Sequence, residues 1–301
     1  RGAAVRVVLD SGDRQAASTD QAMDATFQRL LDELGGDTNA ASFAMQCDQA
    51  CISKEDDSIQ HNKFVLMSAT GDVDDVVFET TSNMRTGGSG DATWNAAVVS
   101  SDNAGVYDSF RAYFDDLASR RTVPGNDYHA VRPPTDHGGL TPFYFPRTDG
   151  TDTVAQTLGT IDCSAAPTVD VMATHFVRTQ VRDRLNQMVQ AGCGVRVISR
   201  PDNISRVLCD SLVAGSVEVR IGDEPSDTAV GIHGKYLTVT GGGDLQHLVW
   251  MGSHNLTDNA LWRNDETFLL IDDQAVHDAF QTNFQTIWAD PSMTPGCSTV
   301  P

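Results

Sequence analysis

The 301-residue chain predicts an α/β fold made of two similar units, each a mixed sheet flanked by helices, packed with pseudo-twofold symmetry. Three observations carry that expectation. Two of the three lysines stand two places after a histidine, in His61-Asn62-Lys63 and His233-Gly234-Lys235. Chance placement gives such a triplet on the order of 0.08 times per chain. Each triplet is followed, 22 residues after its histidine, by an asparagine, Asn83 and Asn255. Both halves then close on a helical apolar pattern, Val106, Phe110 and Phe114 in one and Val276, Phe280 and Phe284 in the other. These patterns are offset by 170 residues and the triplets by 172, a slip that loop-length drift between two copies explains.

Taken in order, Gly2-Ala3-Ala4-Val5-Arg6-Val7-Val8 echoes Gly192-Cys193-Gly194-Val195-Arg196-Val197-Ile198, each reading as a helix's glycine end running into a buried strand. The triplets open the apolar runs Phe64-Val65-Leu66-Met67 and Tyr236-Leu237-Thr238-Val239, which read as buried strands. A further strand pair is Ala96-Ala97-Val98-Val99 and Thr267-Phe268-Leu269-Leu270-Ile271. The second copy also has a leader, a strand at Val169-Asp170-Val171-Met172-Ala173 and a helix from Thr179 to Ala191. The counterpart of that leader would precede Arg1, so the first unit is expected to lack its leading strand and helix, with a cleaved or otherwise separate segment upstream. The units are then 1–118 and 161–301. Residues 119–160 form a connecting stretch rich in Pro, Gly, Thr and Asp that holds Phe143-Tyr144-Phe145. A loop of that length has two readings: a lid or wall over the site, or a surface hairpin whose aromatics cap the core.

The net charge of −20 comes mostly from aspartate, against 18 Arg and 3 Lys, and disfavours long-range attraction of nucleic acid. No run of about 18 apolar residues is present to span a bilayer. Six cysteines, none at zinc-ligand spacing, predict three disulfides and a secreted protein. The expected pairs are Cys47 with Cys51, Cys193 with Cys209, and Cys163 with Cys297.

Side chains two apart on a strand project to one face, so each triplet aims an imidazole and an ammonium at a shared point. Phosphodiester cleavage needs a nucleophile, cations for the non-bridging oxygens and an acid for the leaving alkoxide. Two facing half-sites supply all three. Asn83 and Asn255 add donors to phosphate oxygens, with Ser82 and Ser253 beside them.

These residues resemble the phospholipase D superfamily, whose pattern is His-x-Lys followed by a Gly-Ser or Ser-x-Asn element. It stands here as His61-Asn62-Lys63 with Thr81-Ser82-Asn83, and as His233-Gly234-Lys235 with Gly252-Ser253-His254-Asn255. The first copy departs at Thr81, where glycine is usual. The aspartate often found five residues after the lysine is Ser68 and Thr240 here, which leaves the local loop geometry in question. The resemblance implies that Glu266 orients a histidine. The matching first-half position falls near Asn95, with no carboxylate. It implies a two-step reaction through a phosphohistidine, with His61 as nucleophile and His233 as acid and then base, and with no metal or cofactor. The reverse assignment of the two histidines stays open.

The catalytic set is thus His61, Lys63, His233, Lys235, Asn83, Asn255 and Glu266. Ser82, Ser253, His254, Asn95 and Tyr144 are the expected substrate contacts. The expected enzyme is a phosphoric diester hydrolase acting as a monomer on a phospholipid headgroup or glycerophosphodiester. It would touch membranes transiently and transfer to alcohols as well as to water. A nuclease of the same superfamily would instead need a groove of clustered arginines such as Arg178, Arg182, Arg184, Arg120 and Arg121. A non-catalytic binding or toxin-like module would be expected to carry degraded triplets.

Overall fold

Short runs rich in β-branched and aromatic residues, punctuated by glycine and aspartate, become the strands. The computed structural model describes residues 2–11, 20–84, 90, 92–222, 230–241 and 247–301. The chain opens with β1 (Arg6–Asp10), α1 (Asp20–Leu34) and β2 (Phe43–Cys47). β1 and β2 pair in parallel from Arg6 opposite Phe43 to Asp10 opposite Cys47, a pairing that needs a crossover such as α1. Then come β3 (Phe64–Thr70), β4 (Val73–Thr80), β5 (Thr93–Trp94) and β6 (Ala97–Ser100). β3, β4 and β6 form an antiparallel sheet. Helix α2 (Ala104–Ala118) follows, capped by the Asn103 side chain and burying Val106, Phe110, Tyr113 and Leu117.

The connecting stretch carries α3 (Tyr128–Val131), β7 (Leu140–Phe145) and α4 (Thr153–Leu158). Beyond it lie β8 (Thr168–Ala173), α5 (Thr179–Gln190), β9 (Gly194–Ser199), α6 (Arg206–Ala214) and β10 (Glu218–Ile221). The chain continues through β11 (Gly231–Ile232), β12 (Lys235–Thr240), β13 (His247–Gly252), α7 (Asp258–Trp262) and β14 (Glu266–Asp272). It ends with α8 (Gln274–Trp288) and β15 (Thr294–Pro295). Eight strands form one mixed sheet in the order β15-β10-β9-β8-β12-β13-β14-β7. One of its faces packs on α4, α5 and α6 through Val154, Leu158, Leu185 and Leu212. The other meets α8 and the first half, where Val77, Val106 and Phe110 share a core with Val249, Met251 and Phe284.

The α/β class and the helix-flanked mixed sheet are as the sequence predicts. The order β3-β4-β6 then α2 repeats β12-β13-β14 then α8, which is compatible with two copies of one unit. The expected loss of a leading strand and helix is overturned. β1-α1-β2 has the connectivity of β8-α5-β9, so residues 2–8 match the strand before the crossover and not the one after it. The sequence echo misled because valine-rich strands entered from a glycine look alike on either side of a crossover.

Residues 119–160 are not a free loop. β7 pairs with β14, from Glu266 opposite Phe145 to Ile271 opposite Leu140, and adds the outer strand of the large sheet. Tyr144 and Phe145 are core residues, 1% and 0% exposed. The stretch is therefore neither a surface hairpin nor a lid over these residues: its aromatics are core side chains of a sheet strand.

The disulfides are Cys47–Cys51, Cys163–Cys193 and Cys209–Cys297. The first pair is as expected and the other two are corrections. Cys193 enters β9 beside the stretch leading into β8, which brings Cys163 to it, while Cys209 on α6 faces the C-terminal tail. Cys209–Cys297 closes a span of 88 residues. Replacing both cysteines with serine is expected to lower the unfolding free energy by about 2–5 kcal/mol. Urea denaturation measures this, and non-reducing peptide mapping checks the pairing.

Candidate active site

Each His-x-Lys triplet is stitched by backbone to the opposite half. Gln60 bridges Asp265 in parallel, and the His61 amide donates to the Asp265 carbonyl at 3.0 Å. In mirror fashion, β11 pairs with β5, Ile232 opposite Trp94, and the His233 amide donates to the Trp94 carbonyl at 3.0 Å. Lys63 and Lys235 then enter β3 and β12, and both are buried, 6% and 3% exposed. Each ammonium donates back to the carbonyl of its own histidine.

The side chains repeat this exchange. His61 Nδ1 meets both Glu266 carboxylate oxygens, at 2.8 and 2.9 Å. An ionised carboxylate accepts only, so Nδ1 carries the proton and the Nε2 lone pair is left for chemistry. Ser253 Oγ and Asn264 Nδ2 also donate to Glu266, at 2.6 and 3.1 Å. His233 Nδ1 meets Asn95 Oδ1 at 3.0 Å. The Asn95 amide nitrogen donates to the Gly90 carbonyl and to Thr93, which fixes the amide with its oxygen toward His233. Thr81 Oγ1 donates to the same oxygen at 3.0 Å. One imidazole thus rests on a carboxylate and the other on a neutral amide.

A single stretch of the chain, residues 161–288, matches the family described as "Cardiolipin synthase, PLD-like domain". Over that stretch the chain is similar to phospholipase D-like domains. A comparison with curated protein sequences finds no match. Among solved structures, phosphatidylserine synthase from Haemophilus influenzae Rd KW20 aligns with a TM-score of 0.60 and 12% identity, over 99% of this chain and 76% of that one. Polyphosphate kinase from Porphyromonas gingivalis aligns with a TM-score of 0.60 and 11% identity, over 98% of this chain and 40% of that one. At these identities the likeness is one of fold. Nuc, a phospholipase D family member from Salmonella typhimurium, aligns at 21% identity with a TM-score of 0.43, over 55% of this chain and 99% of that one.

The two triplets share one electrostatic environment. Burial, Lys235, Lys63 and His61 together push His233 down to about 2. Burial also lowers His61, and Lys63 and Lys235 add to that fall against the pull of Glu266. Lys63 is brought down to about 8 by burial, opposed by Glu266 and Asp10. Lys235 falls well below the usual lysine range through burial and the neighbouring Lys63. Burial acts to raise Glu266, yet His61 and Lys63 outweigh it and hold it at about 2. Burial pushes Glu79, beside Gly252, up to about 8, so it adds no second anion at neutral pH.

Several expected contacts take other roles. Ser253 is fully buried and spends its hydroxyl on Glu266, and Asn95 supports His233, so both position a histidine instead of meeting substrate. Tyr144 is not brought to the cleft: its hydroxyl bonds Ser109 at 2.8 Å within an aromatic cluster with Tyr113 and Phe110. His254 is 2% exposed, lies 4.4 Å from the Phe145 ring, and is pushed down to about 3 by burial and Arg178. With Lys235 and Asn255 it lines a small cavity. Ser82 and Asn83 are half-buried, and Ser82 Oγ donates to the Asn83 carbonyl.

The first-half partner of Ser253 is Thr81, not Ser82. The Thr81 and Ser253 amides donate to Ala96 and Thr267 carbonyls, and their hydroxyls accept from the Ala96 and Thr267 amides. A hydroxyl two residues before the asparagine, Thr81-x-Asn83 and Ser253-x-Asn255, was the signal in the sequence. The glycine of the motif therefore matches Thr80. At Gly252 a Cβ would meet the Thr267 carbonyl oxygen at 2.4 Å.

The empty site holds two lysine side chains against one carboxylate, and an anion placed between them opposes the lowering of His233 and Lys63. Their pKa values then rise, so anion binding takes up protons and weakens as pH climbs through about 8, where free Lys63 loses its charge. Calorimetry of sulfate binding in buffers of differing ionisation enthalpy is expected to show net proton uptake near pH 8, reduced in Lys63→Met.

Proposed function

We propose that this protein is a phosphodiesterase of the phospholipase D type. It would cleave a phospholipid headgroup or glycerophosphodiester through a phosphohistidine on His61. One observation carries the reading: a carboxylate under His61 and a neutral amide under His233. His61 Nε2 attacks phosphorus while Nδ1–H stays on Glu266. The resulting phosphoimidazole is cationic, and Glu266 offsets that charge. His233, lacking an anionic partner, receives a proton when the anionic diester enters and passes it to the departing alkoxide as the P–O bond breaks. In the second step His233 takes a proton from water, or from a competing alcohol, whose oxygen attacks phosphorus and frees His61. Lys63, Lys235, Asn83 and Asn255 would hold the non-bridging oxygens.

A small or zwitterionic substrate is supported over a polynucleotide by where the arginines lie. Arg178 is buried against Asp152 at 2.6 Å, Arg121 pairs with Asp116, Arg182 with Asp183, and Arg120 donates to the Gln46 carbonyl. Each of these four is engaged by a neighbour in the fold. Three disulfides support an extracellular setting. The matched order of the halves supports residues 1–118 and 161–301 as two copies of one unit.

Quenching in alkaline detergent with a labelled phosphodiester is expected to trap phosphoenzyme in the wild type and none in His61→Ala. His233→Ala should slow turnover by about 10²–10⁴-fold. Glu266→Gln should cost more than Asn95→Ala, because a charged acceptor makes roughly twice as strong a hydrogen bond. Unchanged turnover in both histidine variants would sink the reading.

A further inference from the structure

Asp265, the residue before Glu266, takes no part in the chemistry described, yet it is 0% exposed. Its carboxylate is gripped by backbone of the first half. The Cys51 and Ile52 amides donate to Oδ2 at 2.5 and 3.0 Å, and the Ser53 amide donates to Oδ1 at 3.2 Å. Its own backbone extends the grip: the Asp265 amide donates to the Ile59 carbonyl and its carbonyl accepts from the His61 amide, both at 3.0 Å. Asn264 Oδ1 adds a bond from the Ile59 amide at 3.2 Å. The Cys47–Cys51 disulfide ties the start of the same segment to the end of β2.

Three consecutive residues therefore hold the His61 ring and the backbone on either side of the turn that carries it. Asn264 and the Asp265 backbone fix residues 59 to 61, the Asp265 carboxylate fixes residues 51 to 53, and Glu266 takes the imidazole. A segment held at both ends cannot tilt His61 away from Glu266 without breaking buried backbone bonds, whose unmet donors are costly. We propose that Asp265 is a positioning residue for His61: by gripping the disulfide-closed turn it holds the imidazole where Nδ1–H meets Glu266. This rests on His61 acting as the nucleophile.

The alternative is that Asp265 merely stabilises the fold. The charge state of the carboxylate bears on the choice. Burial pushes it up to about 7, opposed by the three amides and by Lys54; Tyr113 from α2 is the other ionisable group facing it. Above that pH the carboxylate accepts all three bonds, and below it the protonated oxygen gives up part of the grip. A purely structural anion would not tie this transition to the rate of His61 phosphorylation.

The test is Asp265→Asn, which presents an NH₂ to amides that need an acceptor. Single-turnover phosphoenzyme formation is expected to slow tenfold or more with KM changed less than twofold. The downfield Nδ1–H proton resonance of His61, held by Glu266, should broaden or vanish. Cys47→Ser/Cys51→Ser, which keeps Asp265 but frees the turn, should slow the same step three- to fivefold. It serves as the measurement should Asp265→Asn fail to fold. A folded Asp265→Asn that keeps the resonance, or that forms phosphoenzyme within twofold of wild type, overturns the proposal, as does an unaltered rate in the disulfide variant. A wild type inert toward every phosphodiester sinks the functional reading instead, and the imidazole resonance still decides whether Asp265 positions the ring.

Discussion

The contact between His61 and Glu266 constrains the rest of this molecule. Glu266 is a carboxylate with no exposure to solvent, at the first position of β14. A buried charge is tolerated where it is paired and hydrogen-bonded, and its main partner comes from the other half of the chain. Removing that half would leave an uncompensated anion inside the fold. The two halves are therefore obliged to dock, and docking brings both ammoniums toward one point.

The second exchange, His233 with Asn95, is weaker in charge but similar in geometry. Around both lies a core to which each half contributes, so the seam is packed as an interior, with Phe110 and Met251 in one cluster. Rigid strands thus set the angles at which the imidazoles face each other. The asymmetry between carboxylate and amide distinguishes two otherwise matched half-sites. That difference arises from one position, Glu266 against Asn95.

Much of this was legible from the chain. Triplet periodicity on strands and the helical spacing of Phe280 and Phe284 report directly on local structure, and local structure is what sequence patterns encode. What escaped was long-range. Glu266 was legible as a histidine's partner, but not that it serves the histidine of the opposite half, nor that Asn95 returns the exchange. The role of Asp265 lies in bonds to backbone amides more than 200 residues away, which leave no side-chain signature. The cysteine pairing failed for the same reason, since connectivity depends on which strands lie side by side. Tyr144 and the connecting stretch misled because an aromatic cluster reads alike whether it faces a cleft or a core.

β7 carries a further implication. Without it, β14 would end the large sheet with a row of unpaired amides and carbonyls, the kind of border along which chains stick to one another. The connecting stretch thus guards the strand that begins with Glu266 by covering it from the side. A fragment cut after this stretch would keep the matched domain yet expose that border, and would tend to associate in solution before it could be assayed.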